Sequence, residues 1–185
     1  VEMVNVTVQG NTAGNDFSSG GGGITLAVRD GTAIVRQSHI LGNHAAKIKT
    51  LLGGPSFGGG INVNGGTLLL ENVLIAGNDG ERGDALWVKP GFGGTGTVNM
   101  NYVTIADNYR VAADAAAAIH VEGSQVTLNL ANTLISGSST AYEAMGNTQP
   151  ITLTLSSVLI DNNVDTVSNG TFATSGAPLD IFVRD

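Results

Sequence analysis

The residues of this chain best suited to chemistry lie on two short segments, GDALWVKPG and AAAAIHVEG. The first carries Trp87 and Lys89, and the second carries His120 and Glu122. Residues two apart on a β-strand face the same side, so each pair would share one face of a sheet. A histidine with a carboxylate and a lysine can do acid–base chemistry, and an exposed indole ring can stack on a sugar. These segments therefore indicate a binding face or a catalytic face.

A third segment, GGGINVNGG, aligns with these two and adds two amide side chains. The predicted ligand-binding set is then Trp87, Asn62, Asn64, Lys89, His120 and Glu122, with polysaccharide as the ligand. A simpler interpretation stays open, in which Trp87 covers the fold and Lys89 forms a salt bridge with Glu122. The catalytic alternative uses His120, Glu122 and Lys89, but the pattern places no nucleophile beside them. No catalytic residue is predicted outside that alternative.

The elements that must position these residues repeat along the chain. The stretch TLLLENVLIAGN (67–78) is followed by TVNMNYVTIADN (97–108), and six blocks align on a final anchor. Apolar residues recur every second position within each block, which is the period of a strand. The phase of this alternation changes between eight and five residues before the anchor, which predicts a bend between two strands. The anchors are Asn11, Asn43, Asn78, Asn108, Ser138 and Asn163, at intervals of 32, 35, 30, 30 and 25 residues.

Each repeat is predicted to hold about three short strands separated by turns. A β-propeller blade would need roughly 40–45 residues, which is more than these intervals supply. Identical positions would instead stack on successive coils about 4.8 Å apart, and parallel connections are nearly always right-handed. The predicted fold is all-β, a right-handed parallel β-helix of about six coils, with residues 1–185 as a single domain. Because the chain begins on Val1 in mid-pattern, it is expected to be processed or excised from a longer chain.

The column of asparagine anchors has a structural explanation. Asparagine tolerates left-handed backbone at a turn, and stacked amides can donate and accept hydrogen bonds along a column. Ser138 can form only part of this bond and is expected to be a weaker step. The predicted ladder comprises Asn11, Asn43, Asn78, Asn108 and Asn163.

The motifs GGGI (21–24 and 58–61) and IxxN (40–43, 75–78 and 105–108) carry a family resemblance. They resemble the GGA[ILV] and FxxN repeats of polymorphic outer-membrane proteins, and the wider pectate-lyase-like right-handed β-helix proteins of bacterial surfaces. The chain departs from that pattern by having Ile where the family favours Phe, and by weaker GGA equivalents after Gly60. The resemblance implies a surface adhesin, or a scaffold within a large secreted protein.

Composition limits the partners and cofactors. A net charge of −7 argues against nucleic acid, because a basic surface is needed to neutralise phosphates. No apolar run is long enough for a membrane span, and cysteine is absent. The acidic run Asn78-Asp79-Gly80-Glu81 could take calcium but lacks EF-hand spacing, so no cofactor is predicted. The tripeptide Arg82-Gly83-Asp84 spells an integrin-recognition motif in a predicted turn, although such a match arises easily by chance.

One outward column is apolar for a solvent-facing position, at Leu74, Leu134 and Leu159. Exposed aliphatic side chains in a row suggest a covered face. The cover could be residues 166–185, which form a predicted C-terminal cap or covering strand, or it could be another copy of the chain. Open coil ends expose unpaired strand edges that also favour self-association.

These features predict a non-catalytic, secreted or cell-surface β-helix for adhesion, surface assembly or glycan binding. Its partners would be a polysaccharide or a host or cell-surface protein. The alternative is a polysaccharide lyase or glycoside hydrolase that acts on an outward sheet face. A glycosidase needs two neighbouring carboxylates, and the outward columns of the long strands contain no such pair. Arg36 and Glu71, which are neighbours there, are expected to form an ion pair. Ice binding through the threonine column is a third hypothesis, although only one such column is regular.

Overall fold

A computed structural model describes residues 1–14, 19–27, 29–46, 56–91, 94–108, 117–123, 125–138, 140–145, 151–161, 165–168, 172–174 and 181–184. These residues form strands and turns, and no helix occurs among them. The strands are β1 (Glu2–Val4), β2 (Thr7–Gln9), β3 (Thr12–Ala13), β4 (Ser19–Gly20), β5 (Ile24–Ala27), β6 (Thr32–Leu41), β7 (His44–Ala45), β8 (Ser56–Phe57), β9 (Ile61–Asn64), β10 (Gly66–Ala76), β11 (Leu86–Lys89), β12 (Gly96–Ala106), β13 (Ala117–Glu122), β14 (Val126–Ser136), β15 (Thr140–Met145), β16 (Ile151–Asp161), β17 (Asp165–Ser168), β18 (Phe172–Thr174) and β19 (Ile181–Arg184).

Two long parallel sheets organise the described residues. The first runs in the order β1-β6-β10-β12-β14-β16-β18, with β2 also paired to β6 and β19 also paired to β16. The second runs in the order β17-β15-β13-β11-β9-β5. The chain alternates between the two sheets and advances by one strand position in each. The all-β prediction is confirmed, and the parallel arrangement is compatible with the predicted β-helix.

The register confirms the columns that were aligned from the sequence. The threonine column pairs Thr32, Thr67, Thr97, Thr127 and Thr152 in turn. The isoleucine column pairs Ile40, Ile75, Ile105, Ile135 and Ile160 in the same way. A one-residue slip would move every inward side chain to the outer face, so the alternation itself fixes this register.

The core lies on the inward columns of both sheets. Side chains from the first sheet, such as Leu70 and Ile75, are buried together with Ile61, Leu86 and Ile119 of the second sheet. Two polar side chains occupy the same inward column as valine, and each donates to the carbonyl oxygen two residues before it. Ser38 Oγ lies 2.6 Å from Arg36 O, and Thr133 Oγ1 lies 2.9 Å from Ala131 O. Burial of these hydroxyls therefore leaves no unpaired donor.

The predicted bend is a single left-handed residue, which lies inside one continuous strand in five repeats and between β1 and β2 in the first. Six residues before each anchor, the backbone φ lies between 48° and 55°, at Asn5, Gln37, Asn72, Tyr102, Asn132 and Ser157. One residue in this conformation shifts the side-chain alternation, which explains the change of phase in the sequence. The side chains of all six are exposed.

The asparagine ladder is confirmed for four anchors. The Nδ2 atom of each amide donates to the Oδ1 atom of the next, at 2.9 Å for Asn11 to Asn43, 3.0 Å for Asn43 to Asn78 and 2.9 Å for Asn78 to Asn108. The same Oδ1 atoms also accept the backbone N–H of the preceding anchor, at 2.9–3.1 Å. Asn163 lies outside the described residues.

The left-handed backbone expected at the anchors lies one residue earlier. The residues Gly10, Gly42, Gly77, Asp107 and Gly137 have φ between 50° and 68°. This position is physically reasonable because the anchor amide must point inward to reach its neighbours, so the turn is made by the residue before it. Glycine adopts this conformation without steric cost.

The GGGI motif marks a corner where backbones approach too closely for side chains. A Cβ on Gly59 would lie within 2.5 Å of the carbonyl oxygens of Asp79 and Asp84. Gly58 and its successor in the next repeat, Gly83, both have left-handed φ, at 61° and 68°. The motif is therefore required by packing at this corner.

The last strands extend the first sheet. The strand β18 pairs with the first part of β16, and β19 pairs with its second part, so that Phe182 is in register with Leu159. A capping or covering role for residues 166–185 stays a prediction.

Replacement of Asn78 by alanine is expected to lower the free energy of unfolding by about 2–4 kcal/mol. The change removes the acceptor of the N–H and the side-chain amide of Asn43 on one side, and the amide donor to Ile40 O and Asn108 Oδ1. Asn11→Ala is the matched control in the same column, where the side chain is exposed and a cost of about 1 kcal/mol or less is expected. Equal losses in chemical denaturation would contradict a buried ladder.

Gly59→Ala is expected to cost about 2–3 kcal/mol, because the added methyl group meets backbone that cannot move independently. Gly42→Ala is the control, since nothing lies within 4 Å of its Cβ position and only its left-handed φ is penalised, by about 1 kcal/mol. Thermal denaturation of both variants measures the difference. A Gly59→Ala protein as stable as Gly42→Ala would refute the steric explanation of the GGGI motif.

Candidate functional site

The second sheet brings the predicted binding residues together. Trp87 is in register with Asn62 on one side and with His120 on the other. Lys89 is in register with Asn64, and Glu122 ends the neighbouring strand β13. The two columns aligned from the sequence are therefore real neighbours in space.

The predicted exposure is wrong for the column of Asn62, Trp87 and His120, which is buried, whereas Asn64, Lys89 and Glu122 in the next column are partly exposed. Trp87 is 1% exposed and His120 is 0% exposed, so neither side chain can meet a ligand in this conformation. Trp87 and Asn62 are covered by a second layer over this part of the sheet face, which contains β4 and β8. The Phe57 ring stacks on the Trp87 indole with centroids 4.3 Å apart, and the amide nitrogen of Asn62 fills the space that a side chain at residue 20 would need.

The two charged residues of the predicted set, Lys89 and Glu122, contact Trp87 or a residue that packs on Phe57. Lys89 Nζ lies 4.8 Å from the centroid of the Trp87 ring. Glu122 pairs with Arg82, whose Nη1 lies 3.1 Å from Glu122 Oε2, and the salt bridge expected between Lys89 and Glu122 is replaced by this contact. Arg82 also lies over the Phe57 ring, at 5.8 Å from its centroid. These contacts favour the covering interpretation of Trp87 over a sugar platform.

The Arg82-Gly83-Asp84 tripeptide is part of the glycine corner. Asp84 is 0% exposed, and its Oδ1 accepts the N–H of Gly80 at 3.0 Å. Gly83 holds the same left-handed corner position as Gly58. Recognition by a receptor that must reach the aspartate carboxylate is not compatible with this burial.

A different surface, on the outer face of the first sheet, is open to solvent. Arg36 contacts two carboxylates, with its Nη1 2.8 Å from Glu2 Oε1 and its Nε 2.9 Å from Glu71 Oε2. The predicted pair of Arg36 with Glu71 is confirmed, and Glu2 extends it across three repeats. A groove of about 450 Å³ lies beside these charges, lined by Arg36, Gln37, Glu71, Asn72 and Tyr102.

Tyr102 is the residue on this surface that the sequence pattern did not single out. Tyr102 is 62% exposed and its φ is 54°. A second groove, of about 270 Å³, lies on the other side of the ion pair and is lined by Ile34, Arg36, Leu69, Leu70, Glu71, Asn99, Met100 and Asn101. The signal in the sequence was an aromatic residue at a position that other repeats fill with Asn, Gln or Ser.

A histidine–carboxylate pair lies near the surface. His44 Nδ1 lies 2.9 Å from Asp79 Oδ2, and both side chains are partly exposed. The register places Thr12 next to His44 on the opposite side. A carboxylate that orients a histidine through Nδ1 is an arrangement used in general-base catalysis.

Within the described ranges, no group of three or more His, Cys, Asp or Glu side chains is positioned to hold a metal ion. The search over those same residues also finds no helix with the length and apolar character needed to cross a membrane. No protein-family model matches the chain, and neither a curated protein nor a solved structure is significantly similar to it.

Burial of Trp87 can be checked by fluorescence, since it is the only tryptophan in the chain. The emission of the folded protein is expected to be blue-shifted and poorly quenched by acrylamide, because the indole is covered by Phe57 and Lys89. Both properties should become those of free indole on unfolding in guanidinium chloride. Strong quenching of the folded protein would show that the predicted open platform was correct after all.

Proposed function

We propose that this chain is a right-handed parallel β-helix of about six coils that is secreted or displayed at a cell surface. Its role is non-catalytic, in adhesion, surface assembly or glycan binding. The observation that carries this proposal is the in-register stack of parallel strands tied by asparagine amides. Such a stack repeats the same side-chain positions at a spacing of about 4.8 Å and presents long regular surfaces to a partner.

The order of the two sheets supports the helical winding. Each sheet takes its next strand from the next repeat, so the chain returns to the same sheet after each circuit. The strong preference of parallel crossovers for one hand favours a right-handed winding. The glycine corner gives a packing reason for GGGI, which is the motif that carries the resemblance to bacterial surface β-helix proteins.

The environment of the predicted acid–base residues favours binding over catalysis. His120 is buried, Glu122 is paired with Arg82, and Lys89 lies on the Trp87 ring. A general acid or base must reach the substrate proton directly or through one water molecule. The partly exposed His44–Asp79 pair keeps a hydrolase as the second candidate function.

The apolar outward column suits a role in assembly. Leu74 and Leu134 are half-buried, and Leu159 is 38% exposed. The three side chains are linked by register through Thr104 into one column. A second copy of the chain, or a cell-surface protein, could bury this column on contact.

The proposal is tested by incubating the purified chain with a panel of insoluble polysaccharides and with fixed cells. Retention of the protein and the appearance of new polysaccharide chain ends are followed together. Retention without new ends is expected, because His120 is buried and Glu122 is paired with Arg82. New ends would overturn the non-catalytic role, and absence of retention on every surface would overturn adhesion and glycan binding.

Two variants separate the enzymatic alternatives if new ends appear. Loss of cleavage in Glu122→Gln would assign it to the second sheet, whereas loss in His44→Gln would assign it to the His44–Asp79 pair. Both substitutions keep the size of the side chain close to that of the original. Loss of cleavage in only one variant is therefore not explained by unfolding.

A further inference from the structure

The outer face of the first sheet combines an exposed aromatic ring with a short array of planar polar groups. Tyr102 lines the larger groove together with Gln37 and Asn72, and the Arg36–Glu71 pair separates it from the smaller groove. Planar polar side chains form paired hydrogen bonds with neighbouring hydroxyl groups, and an aromatic face packs on the apolar side of a sugar ring. We propose that this surface binds a linear neutral polysaccharide chain, with Tyr102 as the stacking residue.

The backbone of Tyr102 is the first argument for a dedicated role. It adopts the left-handed conformation, with φ of 54°. Asparagine tolerates this conformation well, but it costs a bulky side chain roughly 1–2 kcal/mol. Equivalent positions hold Asn5, Gln37, Asn72, Asn132 and Ser157. A large aromatic side chain that is 62% exposed at this position stabilises no core, so packing does not explain its presence.

The charge balance disfavours an acidic ligand. Arg36 is the positive charge of this surface, and its guanidinium already contacts the carboxylates of Glu2 and Glu71, at 2.8 Å and 2.9 Å. The three side chains together carry one net negative charge, and the whole chain carries −7. An acidic polysaccharide would therefore be repelled. Hydroxyl groups can still donate to the carboxylates and accept from the guanidinium.

The repeat of the fold selects a linear ligand. Amide side chains continue along the stacking direction from the grooves, and they are held by hydrogen bonds between repeats. Asn129 Nδ2 donates to Asn99 Oδ1 at 2.7 Å, and Asn132 Nδ2 donates to Asn101 Oδ1 at 2.9 Å. Amide side chains that recur in adjacent repeats along the stacking direction suit a straight polymer such as a β-1,4-linked glycan. The floor of the smaller groove includes Leu69 and Ile34, which offer apolar surface to the sugar rings.

This inference rests on the proposed function, since it assigns the glycan class and the surface of a binding β-helix. The test measures affinity for cellohexaose, mannohexaose and the acidic galacturonate hexamer by calorimetry. Three proteins are compared, namely the wild type, Tyr102→Asn and Tyr102→Phe. Asparagine is the residue that the two neighbouring repeats use at this position, so Tyr102→Asn keeps the backbone conformation and removes the ring.

Tyr102→Asn is expected to weaken binding of a neutral hexaose by about tenfold or more, which is the order of one aromatic stacking contact. Its stability to denaturant should be unchanged or higher. Tyr102→Phe keeps the ring and should bind within about threefold of the wild type. The wild type should bind the galacturonate hexamer more weakly than it binds the neutral hexaoses.

Three outcomes would overturn the inference. They are unchanged neutral binding in Tyr102→Asn, preference for the galacturonate hexamer, and absence of hexaose binding by a wild-type chain that is retained on cells or on insoluble polymers. In each of these outcomes the wild type still binds a surface or a glycan, so the proposed function stands and only the assignment to Tyr102 or to neutral glycans fails. Absence of binding to every polymer, hexaose and cell would instead remove both proposals.

Discussion

The amide ladder at the turn is the interaction on which the rest of this structure depends. A buried amide can bond to an amide in the repeat before it and in the repeat after it only if asparagine occupies the same place in all three. Asn78 has 0% exposure and bonds to Asn43 on one side and to Asn108 on the other. Any slip between repeats would leave such groups unpaired in the interior, which costs more than most packing errors. The ladder therefore reinforces the register that the inward–outward alternation sets, and the register places every outward column.

The features that could be predicted from the sequence are those that recur from one repeat to the next. The threonine and isoleucine columns, the inward residues and the ladder are periodic, so alignment of the blocks was sufficient to place them. The location of the left-handed turn residue was missed because the asparagine has two properties, a tolerance of left-handed backbone and an amide for stacking. The structure uses the amide at Asn43 and gives the turn to Gly42.

The two errors about the functional surface have a common physical origin. Alternation along a strand tells which side of its sheet a residue occupies, but it does not tell whether another layer covers that side. Phe57, which stacks on Trp87, belongs to a segment that does not recur at a regular interval, so the repeat pattern did not predict this contact. Tyr102 was missed because it lies where the inward–outward alternation changes phase, and a period of two does not assign that position to either face.

Parallel strands in register also give the molecule a direction in its response to tension. The backbone hydrogen bonds between repeats run along the stacking direction, in the first sheet over strands such as β10 and β12 and in the second sheet over β9 and β11. A pull along that direction stretches the bonds of a whole repeat at the same time, because the long strands present them side by side. The amides of Asn43, Asn78 and Asn108 add side-chain bonds with the same orientation. When the molecule is held at one end and pulled at the other, the repeats should therefore separate one after another. The interface between repeats that has the weakest bonds should open first.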